Sequence, residues 1–195
     1  MTEYRCIVAD PPWLERGGGQ CKRGADRHYP LMDRKQIRSA MLESGFPPNR
    51  GGCHAWMWVT DTFLRDGLWL LETLGFRYVR TLVWVKMSRL DDTTGTWAGN
   101  NRPKLGDLCR SVLQIGLGQY LRGSHELCLF GTMGNAMVPE PANRLPSVIF
   151  AERGKHSEKP DEAFKVFEQV SPGPRVEFFA RSRRDGWGSW GNEVG

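Results

Sequence analysis

Short unbroken apolar runs and stretches of helical spacing take turns along this chain. The first run, Cys6-Ile7-Val8-Ala9, predicts a buried strand over 5–9. Residues 33–44 follow with a helical pattern: Asp33 is placed to cap it, and Ile37, Ala40, Met41 and Ser44 share a face. A second strand is expected over 55–59. Asp61 is then expected to cap a helix whose apolar positions are Phe63, Leu64, Leu68, Leu71 and Leu74, with Gly75 ending it. Strong β runs come at 78–85, 127–130 and 147–151. Pro160 opens a further helix in its first turn, with Asp161 and Glu162 at its positive end and Ala163, Phe164, Phe167 and Val170 as its stripe. Pro172-Gly173-Pro174 stops that helix, and 176–180 is expected to be the final strand. Alternating strands and helices predict an α/β layered fold in one domain over 1–195. Two segments lack either period, 14–30 and 87–120. Both are rich in turn residues and are expected to be functional loops.

The first strand runs directly into Asp10-Pro11-Pro12-Trp13. Open α/β sheets place ligands at the C-terminal ends of their strands. Each proline fixes its own φ and restricts the residue before it. The tetrapeptide is therefore expected to form a stiff hook that holds a carboxylate, a free backbone carbonyl at Pro11 and an indole face together. Such a hook suits a flat base bearing an exocyclic amino group. Two acceptors meet the amine hydrogens, and the indole of Trp13 stacks on the ring.

Composition narrows the class. The 195 residues are 39% hydrophobic and 25% charged, values of a globular protein with a sizeable core. No apolar run approaches the ~20 residues of a membrane helix. The first residues carry no apolar signal segment, so a cytoplasmic protein is expected, with no membrane partner. Five scattered cysteines form no C-x-x-C pair, which speaks against both a zinc site and a disulfide framework. The net charge of +5 points to a polyanionic partner. Its distribution says more: Arg16, Lys22, Arg23, Arg27, Arg34, Lys35 and Arg38 follow the hook closely, and they are expected to contact phosphates.

Several chemistries drop out. Gly17-Gly18-Gly19 is not followed by the Lys-Ser/Thr of a phosphate loop, and Gly116-Leu117-Gly118 lacks the third glycine of a dinucleotide fingerprint. The four histidines show no metal spacing, and no G-x-S-x-G elbow is present. Toward the C-terminus, Lys159 at a helix N-terminus can hold a carboxylate. Glu177 can accept ribose hydroxyls, and Asn192 can donate and accept. Together they suit a ligand with a carboxylate, a ribose and an adenine. Trp56, Trp58, Trp69 and Trp84 are expected in the core, whereas Trp13 and Trp187 fall in loops.

The chain resembles the MT-A70 (METTL-type) family of S-adenosylmethionine-dependent adenine N6-methyltransferases. The residues that carry the likeness are the Asp10–Trp13 hook, His28-Tyr29-Pro30-Leu31-Met32, Trp58-Val59-Thr60, Trp84-Val85-Lys86, the segment from Gly116 to Arg122, Glu126-Leu127-Cys128-Leu129, His156–Pro160, Glu177–Arg181 and Trp190-Gly191-Asn192-Glu193. The family includes the catalytic subunit of the eukaryotic mRNA adenine methyltransferase and bacterial and phage members acting on DNA. The resemblance implies a Rossmann-like methyltransferase domain with a mostly parallel central sheet and helices on both faces. It also implies a circularly permuted order, in which the catalytic hook precedes the cofactor-binding strand. Asp10, Pro11, Pro12 and Trp13 would be catalytic. S-adenosylmethionine, and no metal, would be held by Asp10, Lys159, Glu177, Phe178, Arg181, Asn192 and Glu193. Trp13, Tyr29, Lys86, Arg122, Arg16, Lys22 and Arg23 would meet the nucleic acid.

The expected activity is methylation of the exocyclic N6 amine of adenine, in DNA rather than RNA because the chain is compact. Three alternatives stay open: an RNA adenine methyltransferase, an inactive nucleic-acid-binding partner subunit on the same fold, and transfer to the amine of cytosine. A monomer or homodimer is expected, with a heterodimeric partner as the alternative.

Overall fold

A computed structural model describes residues 2–14, 30–88, 112–116, 118–154, 158–191 and 194. Its centre is one sheet of seven strands: β1 (Cys6–Ala9), β2 (Gly52–Val59), β3 (Arg77–Met87), β4 (His125–Gly134), β5 (Val148–Glu152), β6 (Arg175–Phe178) and β7 (Trp187–Trp190). Their order across the sheet is β5-β3-β4-β2-β1-β6-β7. Only β4 runs against the rest; the pairings β1–β2, β1–β6, β3–β5 and β6–β7 are all parallel. The sheet is mostly parallel, as expected.

Helices cover both faces. On one face α1 (Arg34–Glu43) and α2 (Leu64–Thr73) bring Ile37, Met41, Leu70 and Leu71 onto Ile7, Ala9, Met57, Val59, Val176 and Phe178. On the other face α3 (Asp161–Val170) brings Ala163, Phe164, Val166 and Phe167 onto Cys6, Val8, Trp56, Trp58 and Trp84. The split follows from the two-residue period of a strand, which sends Cys6 and Val8 to one face and Ile7 and Ala9 to the other. Phe167 has no exposed surface and lies between the rings of Trp56 and Trp58, at 4.7 and 6.2 Å. Burying a side chain of this size contributes ~1.5–3 kcal/mol.

Local signals behaved as the residues dictate, with two exceptions. Asp33 caps α1 in a full capping box: its carboxylate accepts from the backbone N–H groups of Lys35 and Gln36, and Gln36 accepts from the N–H of Asp33. Asp61 does not cap α2. It begins a short 3₁₀ turn, Asp61–Phe63, and α2 starts from that turn without a side-chain cap. The second exception is β7. The sheet does not end at β6, and Trp187 lies in a strand rather than a loop.

The expected packing of Trp56, Trp58 and Trp84 is observed, while Trp69 is partly buried beneath the guanidinium of Arg34. Cys6, Cys53 and Cys128 are buried free thiols, and burial pushes those of Cys6 and Cys53 up to about 12, so both stay protonated and inert. No helix among the described residues is long and apolar enough to cross a membrane.

Candidate active site

Six strands end at the same edge of the sheet, and reversed β4 begins there. This edge collects Asp10 after β1, Lys86 near the end of β3, Glu126 at the start of β4 and Glu177 near the end of β6. From β1 the chain goes over one face through α1, while β6 is reached over the other face through α3. The gap between β1 and β6 is thus a topological switch point, the usual place for a ligand in an open α/β sheet. A cleft of about 920 Å³ opens there on the α3 face. Asp10, Lys159, Glu177, Phe179, Arg181 and Arg184 line its polar end, and Phe150 and Phe164 add apolar wall.

The hook is stiff for reasons visible in its hydrogen bonds. The N–H of Asp10 donates to the Phe178 carbonyl at 3.3 Å, that of Met32 to the Pro12 carbonyl at 2.8 Å, and that of Leu14 to the Met32 carbonyl at 3.0 Å. The sequence predicts a free Pro11 carbonyl, but in the fold it accepts from the N–H of Trp13 at 2.9 Å. One lone pair remains on that oxygen for a second donor. Trp13 also departs from expectation. It is 8% exposed, stacks on Phe63 at 5.4 Å, and donates through Nε1 to the Trp58 carbonyl at 3.0 Å. Its ring anchors the hook on the α1/α2 face and offers little surface to a base. A smaller cleft of about 450 Å³ lies on that side, lined in part by Trp13, Met32, Lys35 and Phe63.

Charges alternate through the site. The Lys159 ammonium is 2.7 Å from Asp10 Oδ2 and 3.4 Å from Glu126 Oε2, and Lys86 Nζ is 2.6 Å from Glu126 Oε1. Burial works against the Lys159 cation, yet the carboxylates of Asp10 and Glu126 outweigh it and hold the ammonium above its ordinary range. Burial likewise works against the Glu126 anion, and Lys159 and Lys86 together hold it below the ordinary carboxylate range. Glu177 is the opposite case. Burial, reinforced by the nearby Asp10 carboxylate, pushes it up to about 7 despite Arg184, Lys159 and Arg181. A carboxylate poised this way gains from any hydroxyl that donates to it.

Glu177 and Phe178 face opposite sides of the sheet. Phe178 is 1% exposed and packs against Phe46 and Trp190 in the α1/α2 core, so it does not line the cleft. Its neighbour Phe179 does, carried there by a left-handed backbone at φ +61°. Trp187 packs on Phe164 and donates from Nε1 to Glu168 at 2.9 Å, a structural role. Lys86 is tied to Glu126. Arg122 is exposed, beside Tyr120 at 97% exposure. Arg34 pairs with Asp66 and Arg38 reaches the Thr73 carbonyl, so part of the basic segment knits α1 to α2. Arg16, Lys22, Arg23, Tyr29, Asn192 and Glu193 lie outside the described residues, as do Gly17-Gly18-Gly19 and most of 14–30 and 87–120.

The family model for MT-A70 matches residues 4–193.

The chain belongs to the MT-A70 family.

Among similar proteins, a probable N(6)-adenosine-methyltransferase MT-A70-like of Oryza sativa subsp. japonica is 29% identical over 198 residues, covering 100% of this chain and 23% of its own length. The N(6)-adenosine-methyltransferase catalytic subunit METTL3 of Homo sapiens is 26% identical over 200 residues, covering 100% of this chain and 29% of its own. The type II methyltransferase M.MunI of a Mycoplasma species is 25% identical over 211 residues, covering 98% of this chain and 78% of its own. The chain thus spans about a quarter of the plant relative and most of the bacterial one.

The hook precedes β6 in sequence, and the sheet makes them neighbours: Val8 is in register with Glu177 and Ala9 with Phe178. Two residues at this edge had no role assigned from sequence. Phe179 could have been found from strand parity, which forbids Glu177 and Phe178 from sharing a face. Glu126 gave no such signal, because its partners come from β3 and from the segment before α3.

Proposed function

We propose that this MT-A70 chain transfers a methyl group from S-adenosylmethionine to the exocyclic N6 amine of adenine in a nucleic acid. The observation that carries the reading is Asp10, held on a rigid hook in the same cleft as Lys159 and Glu177. The donor set suits S-adenosylmethionine: Lys159 and Arg181 for a carboxylate, Glu177 for ribose hydroxyls, and Phe164 and Phe179 for apolar contact. When bound, the cofactor supplies a methyl group on a sulfonium, and the electrons of the broken C–S bond return to sulfur.

The chain's own task is to prepare the amine. Its lone pair is delocalised into the ring, so it is a weak nucleophile. Asp10 and the remaining lone pair of the Pro11 carbonyl accept its hydrogens and localise the nitrogen pair, which forms the new C–N bond. The methylated ammonium then loses its proton to water, so no strong base is needed. Orientation by the hook can supply ~7–11 kcal/mol of the barrier, and the Asp10 charge opposite the developing cation adds to it. In a duplex the adenine must leave the stack.

DNA is the proposed polynucleotide, supported by the bacterial type II methyltransferase whose length this chain largely covers. RNA is the second reading, favoured by the adenosine methyltransferase names of the plant and human relatives. The test is incubation with both polymers, digestion to nucleosides and mass spectrometry, alongside Asp10→Ala. The expected result is N6-methyladenine from DNA, lost in D10A while S-adenosylmethionine binding by calorimetry persists. Full activity of D10A would overturn the assignment, and methylcytosine would reassign the base.

A further inference from the structure

We infer that Glu126 is a positioning residue that takes Lys159 from Asp10 when the target amine arrives. The inference rests on the proposed reaction and concerns a difficulty within it. Asp10 Oδ2, one of the acceptors the amine needs, is already held by Lys159 at 2.7 Å. A buried cation does not give up its partner cheaply, because an uncompensated charge in a protein interior is strongly unfavourable.

Glu126 removes that obstacle. It stands behind Lys159, and its two oxygens are used separately. Oε1 is taken by Lys86 at 2.6 Å, while Oε2 faces Lys159 at 3.4 Å. Charge-assisted N–H···O contacts close at about 2.7–2.9 Å, so Lys159 needs to travel only ~0.6 Å to complete the second bond. The ring of Trp58 lies 5.4 Å from the ammonium and offers it favourable contact in either position. Lys86, Glu126, Lys159 and Asp10 sum to zero charge. After the exchange Lys159 pairs with Glu126, and Asp10 accepts from the amine, whose nitrogen becomes cationic and balances the carboxylate as the new bond forms. The lowered proton affinity of Glu126 fits this role, since it stays anionic and ready to receive the cation.

Glutamine at position 126 keeps the shape and removes the attraction. Lys159 then stays on Asp10, and the amine must compete for it. Glu126→Gln is expected to lower kcat/KM for the polynucleotide by about tenfold or more, the worth of a charge-assisted hydrogen bond. S-adenosylmethionine affinity, read by calorimetry, is expected to hold within about twofold, since Glu126 does not line the cleft. Glu126→Asp retains the charge and is expected to recover part of the loss. It also keeps the test open should E126Q fail to fold.

A double-mutant cycle separates positioning from structure. If Glu126 acts through Lys159, E126Q adds no further loss in a Lys159→Met background, both measured at saturating S-adenosylmethionine so that the cofactor role of Lys159 does not enter. Equal losses in both backgrounds, or a wild-type kcat/KM in E126Q, would overturn the inference while leaving the reaction intact. A folded wild-type chain that methylates no adenine overturns the reaction itself, and the inference with it.

Discussion

Glu177 offers a sharp test because two effects of its burial point in opposite directions. The carboxylate rises from the ordinary 4.5 to about 7, mainly through burial and then through Asp10. A group whose proton affinity is raised on folding favours the folded state at low pH. That contribution is fully present below about pH 4.5 and is lost as pH climbs through about 7. Above that, the folded chain carries an ionised carboxylate at an unfavourable site. The full rise corresponds to ~3 kcal/mol. Glu177 keeps some contact with water, so about half of that is the expected net effect. Glu177→Gln removes the charge. At pH 8.5 it is expected to stabilise the ligand-free protein by ~1.5 kcal/mol, or roughly 3–6 °C in Tm for a chain of this size. At pH 4.5 the variant and the parent are expected to melt together. Yet the same change removes the proposed acceptor of the ribose hydroxyls, so affinity for S-adenosylmethionine falls about tenfold or more. Thermal melts at the two pH values, with and without ligand, read both effects. A Tm difference that is equal at both pH values would refute the burial argument, and unchanged affinity would refute the ribose role.

Lys159→Met leaves Asp10 and Glu126 near one another with only Lys86 to compensate them; a loss of ~3 kcal/mol is expected at neutral pH, as a urea titration at pH 7 will read. Trp13→Phe is expected to preserve the stack on Phe63 and to lose the bond from Nε1 to the Trp58 carbonyl, a cost of ~1 kcal/mol in denaturant. Its methylation rate is expected to stay within about threefold of wild type if the ring only anchors the hook, and a far larger fall would return Trp13 to the base. Phe178→Ala and Phe179→Ala are expected to separate: the first destabilises by ~3–5 kcal/mol as a core truncation, whereas the second mainly weakens S-adenosylmethionine binding in calorimetry.

What was legible in the sequence was local or periodic. The capping box at Asp33 uses residues three apart, and the apolar run before Asp10 identifies its own strand. The missing element, β7, has the pattern Trp-Gly-Ser-Trp, only four residues long and flanked by Gly186 and Gly191, so its Gly-Ser centre reads as a turn. It is made a strand by tertiary pairing with β6, and its Gly188 and the following Gly191 serve close approach. A Cβ at Gly191 would lie 2.4 Å from the Ala180 carbonyl oxygen, and one at Gly188 would lie 2.8 Å from the Tyr4 hydroxyl. The α2 start was misplaced because a 3₁₀ turn and an α-helix share their first acidic residue as a signal. Phe178 was an error of parity that strand geometry alone could have prevented. The segment of Glu126 carries part of the family likeness, but its ion pairs could not be read there, since Lys86 and Lys159 come from distant segments and meet it only in the folded sheet.

The sheet itself places Asp10 beside Glu177. These residues sit on adjacent parallel strands, fixed by the ladder that pairs Val8 with Glu177 and Ala9 with Phe178. Their spacing is a property of the sheet, and close packing leaves it little freedom. The chain leaves this edge after Trp13 and after Met87, and neither departure is part of the β1–β6 ladder. Changes in those two connections therefore leave the spacing of Asp10 and Glu177 untouched. The hook itself is fixed in the same way: Trp13 is locked to Phe63 and Trp58, and Pro12 to Met32, so the turn that carries Asp10 is anchored on its far side as well as on β1.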